Sequence, residues 1–192
     1  TGLAAILTSP YRTSLQTLQA WMVRGNYSQT RMRLPGDLDG RGLRTLRRLD
    51  LADNPLTDAA FGKLATSGCL ETVEELVLSG TLMEDSGLAR ILAANPDRLS
   101  VLWIDNNNLL TYRCLRHLAA WPGLRKLKRL ILPNASVLDR EGVAALLAAP
   151  HSEDLRIILR YDADPQHEAE IKRQLQDTWP DRFEKLFVFP LS

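Results

Sequence analysis

The sequence predicts an α/β solenoid: a curved parallel sheet inside, short helices outside, about six stacked units and a C-terminal helix–strand cap. Three observations predict it. The phrase at 122–132, P-G-L-R-K-L-K-R-L-I-L, restates 41–51, R-G-L-R-T-L-R-R-L-D-L. An apolar pattern, L-x-x-L-x-L, then recurs with middle positions at 49, 76, 102 and 130, which lie 27, 26 and 28 residues apart. The stretches between are Ala- and Leu-rich copies of one another, as in 87–94 (G-L-A-R-I-L-A-A) and 142–149 (G-V-A-A-L-L-A-A). A period of this size means one strand and one helix per unit, each able to bury its apolar face only against its neighbours.

The elements follow in order. Residues 2–7 (G-L-A-A-I-L) carry the helix pattern, so the chain opens in mid-unit, as the cut end of a longer protein or a makeshift N-terminal cap. Leu15/Leu18/Ala20 is the first strand, 31 residues ahead of the next. Pro35, Gly36 and Gly40 make 33–41 extended or turn-like rather than helical. Strands follow at Leu46/Leu49/Leu51, Val73/Leu76/Leu78, Leu99/Leu102/Ile104, Leu127/Leu130/Leu132 and Asp154/Ile157/Leu159, the last with its first position degraded. Between them, 60–65, 87–94, 114–120 and 142–149 place apolar residues at i, i+1, i+4 and i+5, one buried helical face. Asp85 and Asp139 sit where N-caps belong, and Pro10, Pro96, Pro122 and Pro150 end the helical segments. The more polar 165–178 reads as a helix and 183–189 as a final strand, together a cap over 165–192.

The run L-x-x-L-x-L-x-x-N at 46–54 and 99–107 resembles the leucine-rich repeat, and the unit length with helical outer segments resembles its ribonuclease-inhibitor-like subclass. The resemblance covers nearly the whole chain as a single domain. It implies a parallel sheet on the concave side, an asparagine ladder tying successive turns, and protein partners of diverse kinds. The chain departs from the pattern where Thr81, Ala135 and Asp162 replace the capping Asn. A broken ladder and irregular stacking are expected there, with Asn134 or Asn108 as candidates to compensate.

Composition fits an ordinary globular chain: 192 residues, 45% hydrophobic and 24% charged. A net charge of +1, from 24 basic and 23 acidic residues, argues against nucleic acid as the partner. Two cysteines, Cys69 and Cys114, make no disulfide framework, and no apolar run is long enough to span a membrane. The absence of a secretory signal at Thr1 adds to an intracellular (cytoplasmic) reading, with a secreted effector as the alternative. Catalytic signatures are missing, so neither an enzyme nor a cofactor is expected. The histidines 117, 151 and 167 fall in different units, and Asp162-Ala163-Asp164 lacks the rest of a calcium loop, so no metal site is expected. Cys114 aligns with Gly87 and Gly142 and reads as a small buried residue.

The sheet face carries the sharper signal. Alternation points the leucines into the core and the intervening residues out to the concave surface. The central outward column reads Gln19, Asp50, Val77, Trp103, Ile131, Ile158 and Phe187. Val77, Trp103, Ile131 and Ile158 are expected to form a contiguous apolar stripe. Arg48, Glu75, Asp105, Arg129, Arg156 and Arg160 flank it. An apolar centre with a charged margin is the anatomy of a protein-binding site. The expected function is therefore a non-catalytic protein–protein interaction module. The alternatives are a regulatory or sensing domain of a larger enzyme, receptor or secreted effector, self-association through the stripe, or plain stacking along the sheet.

Overall fold

The computed structural model describes residues 14–20, 43–133, 137–150, 154–159, 165–181 and 187–188. Among the described residues seven strands form one parallel sheet in chain order: β1 Thr17–Gln19, β2 Arg48–Asp50, β3 Glu75–Val77, β4 Val101–Trp103, β5 Arg129–Leu132, β6 Arg156–Leu159 and β7 Phe187–Val188. Five α-helices among these residues alternate with the strands from β2 on: α1 Asp58–Thr66, α2 Asp85–Ala93, α3 Arg113–Ala120, α4 Arg140–Ala148 and α5 Pro165–Thr178. Each strand pairs only with its sequence neighbours, and α1 to α4 pack each on the next. The result is a solenoid-like α/β stack.

Period-two alternation builds the core. Leu18, Leu49, Leu76, Leu102, Leu130 and Ile157 stand opposite one another along the ladder, and all are buried. They meet the buried helix residues Phe61, Leu64, Leu88, Ile91, Leu115, Leu118, Val143 and Leu146 in one cluster. The degraded first position at Asp154 is covered by its neighbour: Leu155 is the buried residue there.

Helix starts follow the cap chemistry in two cases and depart from it in one. Asp139 caps α4, its Oδ1 accepting from the Gly142 N–H at 2.8 Å, and Thr57 caps α1 by accepting from the Ala60 N–H at 3.1 Å. Asp85, expected to cap α2, lies inside its first turn, after Glu84. Its carboxylate instead accepts from the Thr111 N–H at 3.1 Å and the Thr111 hydroxyl at 2.6 Å, so it ties α2 to the next unit.

The break expected at Thr81 lies in the side chains alone, and the backbone bridges it, the Leu56 N–H donating to the Thr81 carbonyl at 2.9 Å. Asn54 Nδ2 donates to the carbonyls of Ala20, Leu51 and Ala52. Asn107 Nδ2 donates to Leu78, Ile104 and Asp105, and its Oδ1 accepts from the Met83 N–H. Thr81, fully buried between them, donates to the Leu78 carbonyl at 2.8 Å and lies 3.2 Å from Asn107 Oδ1. The hydroxyl makes the amide's bond within its own turn but not the one that Asn54 and Asn107 make to the turn before. Asn108 is exposed and takes no part.

The final strand sits one residue off the expected register: Ile158 stands opposite Val188, and Phe187 opposite Ile157. A shift of one exchanges the two faces, which puts Phe187 in register with the core column and Val188 with the outer one. The segments 2–7 and 33–41, the residues Trp21, Asn134, Ala135, His151, Arg160, Asp162, Lys185 and Phe189, and the side chain of His167 lie outside what the structure describes.

Candidate interaction face on the sheet

The ladder brings the expected columns together. Val77, Trp103, Ile131 and Ile158 stand in register across β3 to β6, as do Arg48, Glu75, Val101, Arg129 and Arg156 across β2 to β6. The placement on one face agrees with the alternation, but the exposure does not. Ile131 is 1% exposed and Val77 6%. On parallel strands about 4.8 Å apart, a β-branched side chain with a bulky neighbour on either side is shielded by them. Ile131 lies between Trp103 and Ile158. Val77 lies next to Trp103, whose indole N–H reaches back to β3 and donates to Glu75 Oε1 at 3.1 Å. Trp103 and Ile158 remain half-buried, so the contiguous stripe is reduced to two accessible apolar residues flanking a sealed one.

Asp105 is a second correction. Expected at the rim of a binding surface, it is fully buried, and its carboxylate accepts a hydrogen bond from the Ser79 hydroxyl. A buried carboxylate held this way belongs to the strand ends, not to a surface that meets a partner.

Arg48 is part of an internal network. Its guanidinium pairs with Asp50 at 3.0 Å and with Glu75. Asp50 also accepts from the Ala52 N–H at 3.1 Å and from Gln19 Nε2 at 3.4 Å. Partial burial alone would lower the Arg48 pKa, but the hydrogen bonds and charges of Glu75 and Asp50 outweigh it and raise it. Arg48, Asp50, Glu75 and Trp103 thus lock three strands together across their outer face. Pattern reading places Asp50 in the apolar column without a partner; the cross-strand positions of Arg48 and Glu75 are the signal that would have found one. Arg129 and Arg156, in contrast, are both exposed.

The helical side offers less. A shallow depression between α2 and α3 is lined by Leu92, His117, Trp121 and Pro122 among others. Trp121 is buried against Gly123, where an added Cβ would strike the indole ring. Cys69 and Cys114 are free and buried, and burial pushes their thiols up to about 11 and about 12. Among the described residues no three His, Cys, Asp or Glu side chains come together as a metal site, and no helix is long and apolar enough to cross a membrane.

Fold and face define an α/β solenoid-like protein with a sheet surface that is ion-paired at one end and carries exposed arginines toward the other. No known family model and no curated protein sequence matches the chain.

Proposed function

We propose that this chain is a leucine-rich-repeat-type interaction module that binds a protein partner on its sheet face without catalysis. One observation carries the reading: half-buried Trp103 and Ile158 flank the sealed Ile131 beside two exposed arginines, Arg129 and Arg156. An aromatic anchor with arginines next to it is the composition that contributes most at protein interfaces. The recurrence at 26 to 28 residues and the bonds of Asn54 and Asn107 to the turn before each support the repeat class. Two cysteines that pair with nothing fit a reducing, intracellular setting.

Affinity capture from the source organism's lysate tests it, with wild type compared against Trp103→Ala/Ile158→Asp. Circular dichroism and a thermal melt must first show the variant folded. A partner held by wild type and lost by the variant is expected. Capture of the same proteins by both would overturn the sheet-face reading.

A further inference from the structure

The sheet face is divided by its own electrostatics. Toward β2 and β3 the charges answer one another: Arg48 is neutralised by Asp50 and Glu75. Toward β5 and β6 they do not. Arg129 and Arg156 stand directly opposite each other in the ladder, and both are exposed. No acidic side chain among the described residues pairs with either. Arg156 donates from Nη1 to the carbonyl of its neighbour Leu155 at 3.1 Å, a neutral partner that does not offset its charge. Like charges in register destabilise a sheet. Packing does not call for them here, because the core beneath is filled by Leu130 and Ile157, which point the other way.

We propose that this half of the face binds an extended, acidic segment of a partner protein, an assignment that rests on the chain being an interaction module. The segment's carboxylates would engage Arg129 and Arg156, and an apolar side chain would rest on Trp103 and Ile158. Guanidinium forks on strands about 4.8 Å apart match the planar, bidentate geometry of a carboxylate or of two neighbouring ones. Charge complementarity also selects against a polyanion. The chain's net charge is only +1, from 24 basic and 23 acidic residues, so a long phosphate backbone would find no excess of basic groups over the molecule.

The test is a selection from a random dodecapeptide display library on the wild-type chain. Recovered peptides are then measured by fluorescence anisotropy against Arg129→Glu/Arg156→Glu, Arg129→Lys/Arg156→Lys and Trp103→Ala, each checked by thermal melt. Enrichment of peptides with Asp or Glu beside an apolar residue is expected. Binding should weaken about tenfold or more on charge reversal and less on the lysine exchange. Peptides that show no acidic bias, lose affinity with Trp103→Ala and bind the charge-reversed protein equally would overturn the acidic partner while leaving the interaction module standing. No enrichment on wild type would overturn both. Labelled oligouridine runs in parallel: if it binds and charge reversal abolishes that binding, the arginines read phosphate and the proposal fails.

Discussion

Asn107 holds more of the backbone together than any other side chain described. Its amide donates to Leu78 at 2.8 Å and Ile104 at 3.0 Å, and its oxygen accepts from the Met83 N–H at 2.9 Å. Alanine there would take this partner from the buried Ile104 carbonyl and Met83 N–H, while the Leu78 carbonyl keeps the Thr81 hydroxyl; at about 1 kcal/mol or more apiece, Asn107→Ala should cost about 2 kcal/mol. Asn108→Ala, at the exposed neighbour, should stay within about 0.5 kcal/mol. Urea midpoints of the two variants check this. Leu82 presents the opposite case. It is 37% exposed and held at φ 56°, in the left-handed region where Asn is tolerated better than Leu. Leu82→Asn should stabilise the fold by about 0.5–1 kcal/mol, seen as a higher urea midpoint. The thiols give a pH prediction. Burial raises Cys69 and Cys114 from 9.0 to about 11 and about 12. Above about pH 9 the unfolded chain therefore gives up protons that the folded chain keeps. Their contribution to stability is whole below that pH and is lost as pH rises toward the folded values. Urea midpoints from neutral pH to about pH 10.5 should fall, and less steeply in Cys69→Ala/Cys114→Ala; equal slopes would show that the thiols do not carry the effect.

Between elements, close approach matters more than helix propensity. Gly87 lies in the first turn of α2 against α1, where an added Cβ would come 2.8 Å from Phe61 Cδ2 and 3.2 Å from Cγ. Ala improves an isolated helix by about 1 kcal/mol over Gly. Here overpacking should win, so Gly87→Ala should destabilise by about 1–2 kcal/mol, and Gly87→Ala/Phe61→Leu should recover part of it in the same unfolding assay. Gly142, at the equivalent place in α4, is crowded likewise, with an added Cβ 3.0 Å from Leu115 Cβ, whereas Cys114 carries a buried side chain at that place in α3, so the space left for a side chain differs from one helix pair to the next. The same contrast marks how far the sequence was legible. Period two and the 26 to 28 residue recurrence place every core Leu of β1 to β6 on its strand and face, because one strong physical rule, burial of alternate side chains, governs them. Crowding is not written in that period. Ile131 lies on the predicted face and is sealed because of what stands on the adjoining strands, Trp103 and Ile158. Asp85 looks like a cap until Thr111 of the next unit is seen to claim it. The slip at β7 escaped for a related reason: in 183–189 too many positions are apolar for alternation to choose between the two registers.

Across the whole molecule, the outer sheet face assigns its arginines to two different tasks, and stability measurements can separate them. Stacked units of this kind are held by nearest-neighbour interfaces, so a residue that bridges strands should matter to unfolding while one that only faces solvent should not. Arg48 bridges: it joins Glu75 on the next strand and Asp50 on its own, and Asp50 is 3% exposed. Arg48→Met keeps much of the aliphatic stem but leaves two carboxylates close together without a cation. Screening at a site that is still about a third open moderates the cost, which should be about 1–2 kcal/mol. Arg129 and Arg156 bridge nothing acidic among the described residues, and removing their mutual repulsion should be neutral or slightly favourable. Arg129→Ser/Arg156→Ser is therefore expected to unfold within about 0.5 kcal/mol of wild type in urea, with an unchanged m-value. A clear loss of stability in that double variant would make the two arginines structural and remove the charge argument for an acidic partner. A neutral result together with a destabilised Arg48→Met would show that the face keeps one arginine to hold its strands together and leaves two with no task inside the fold.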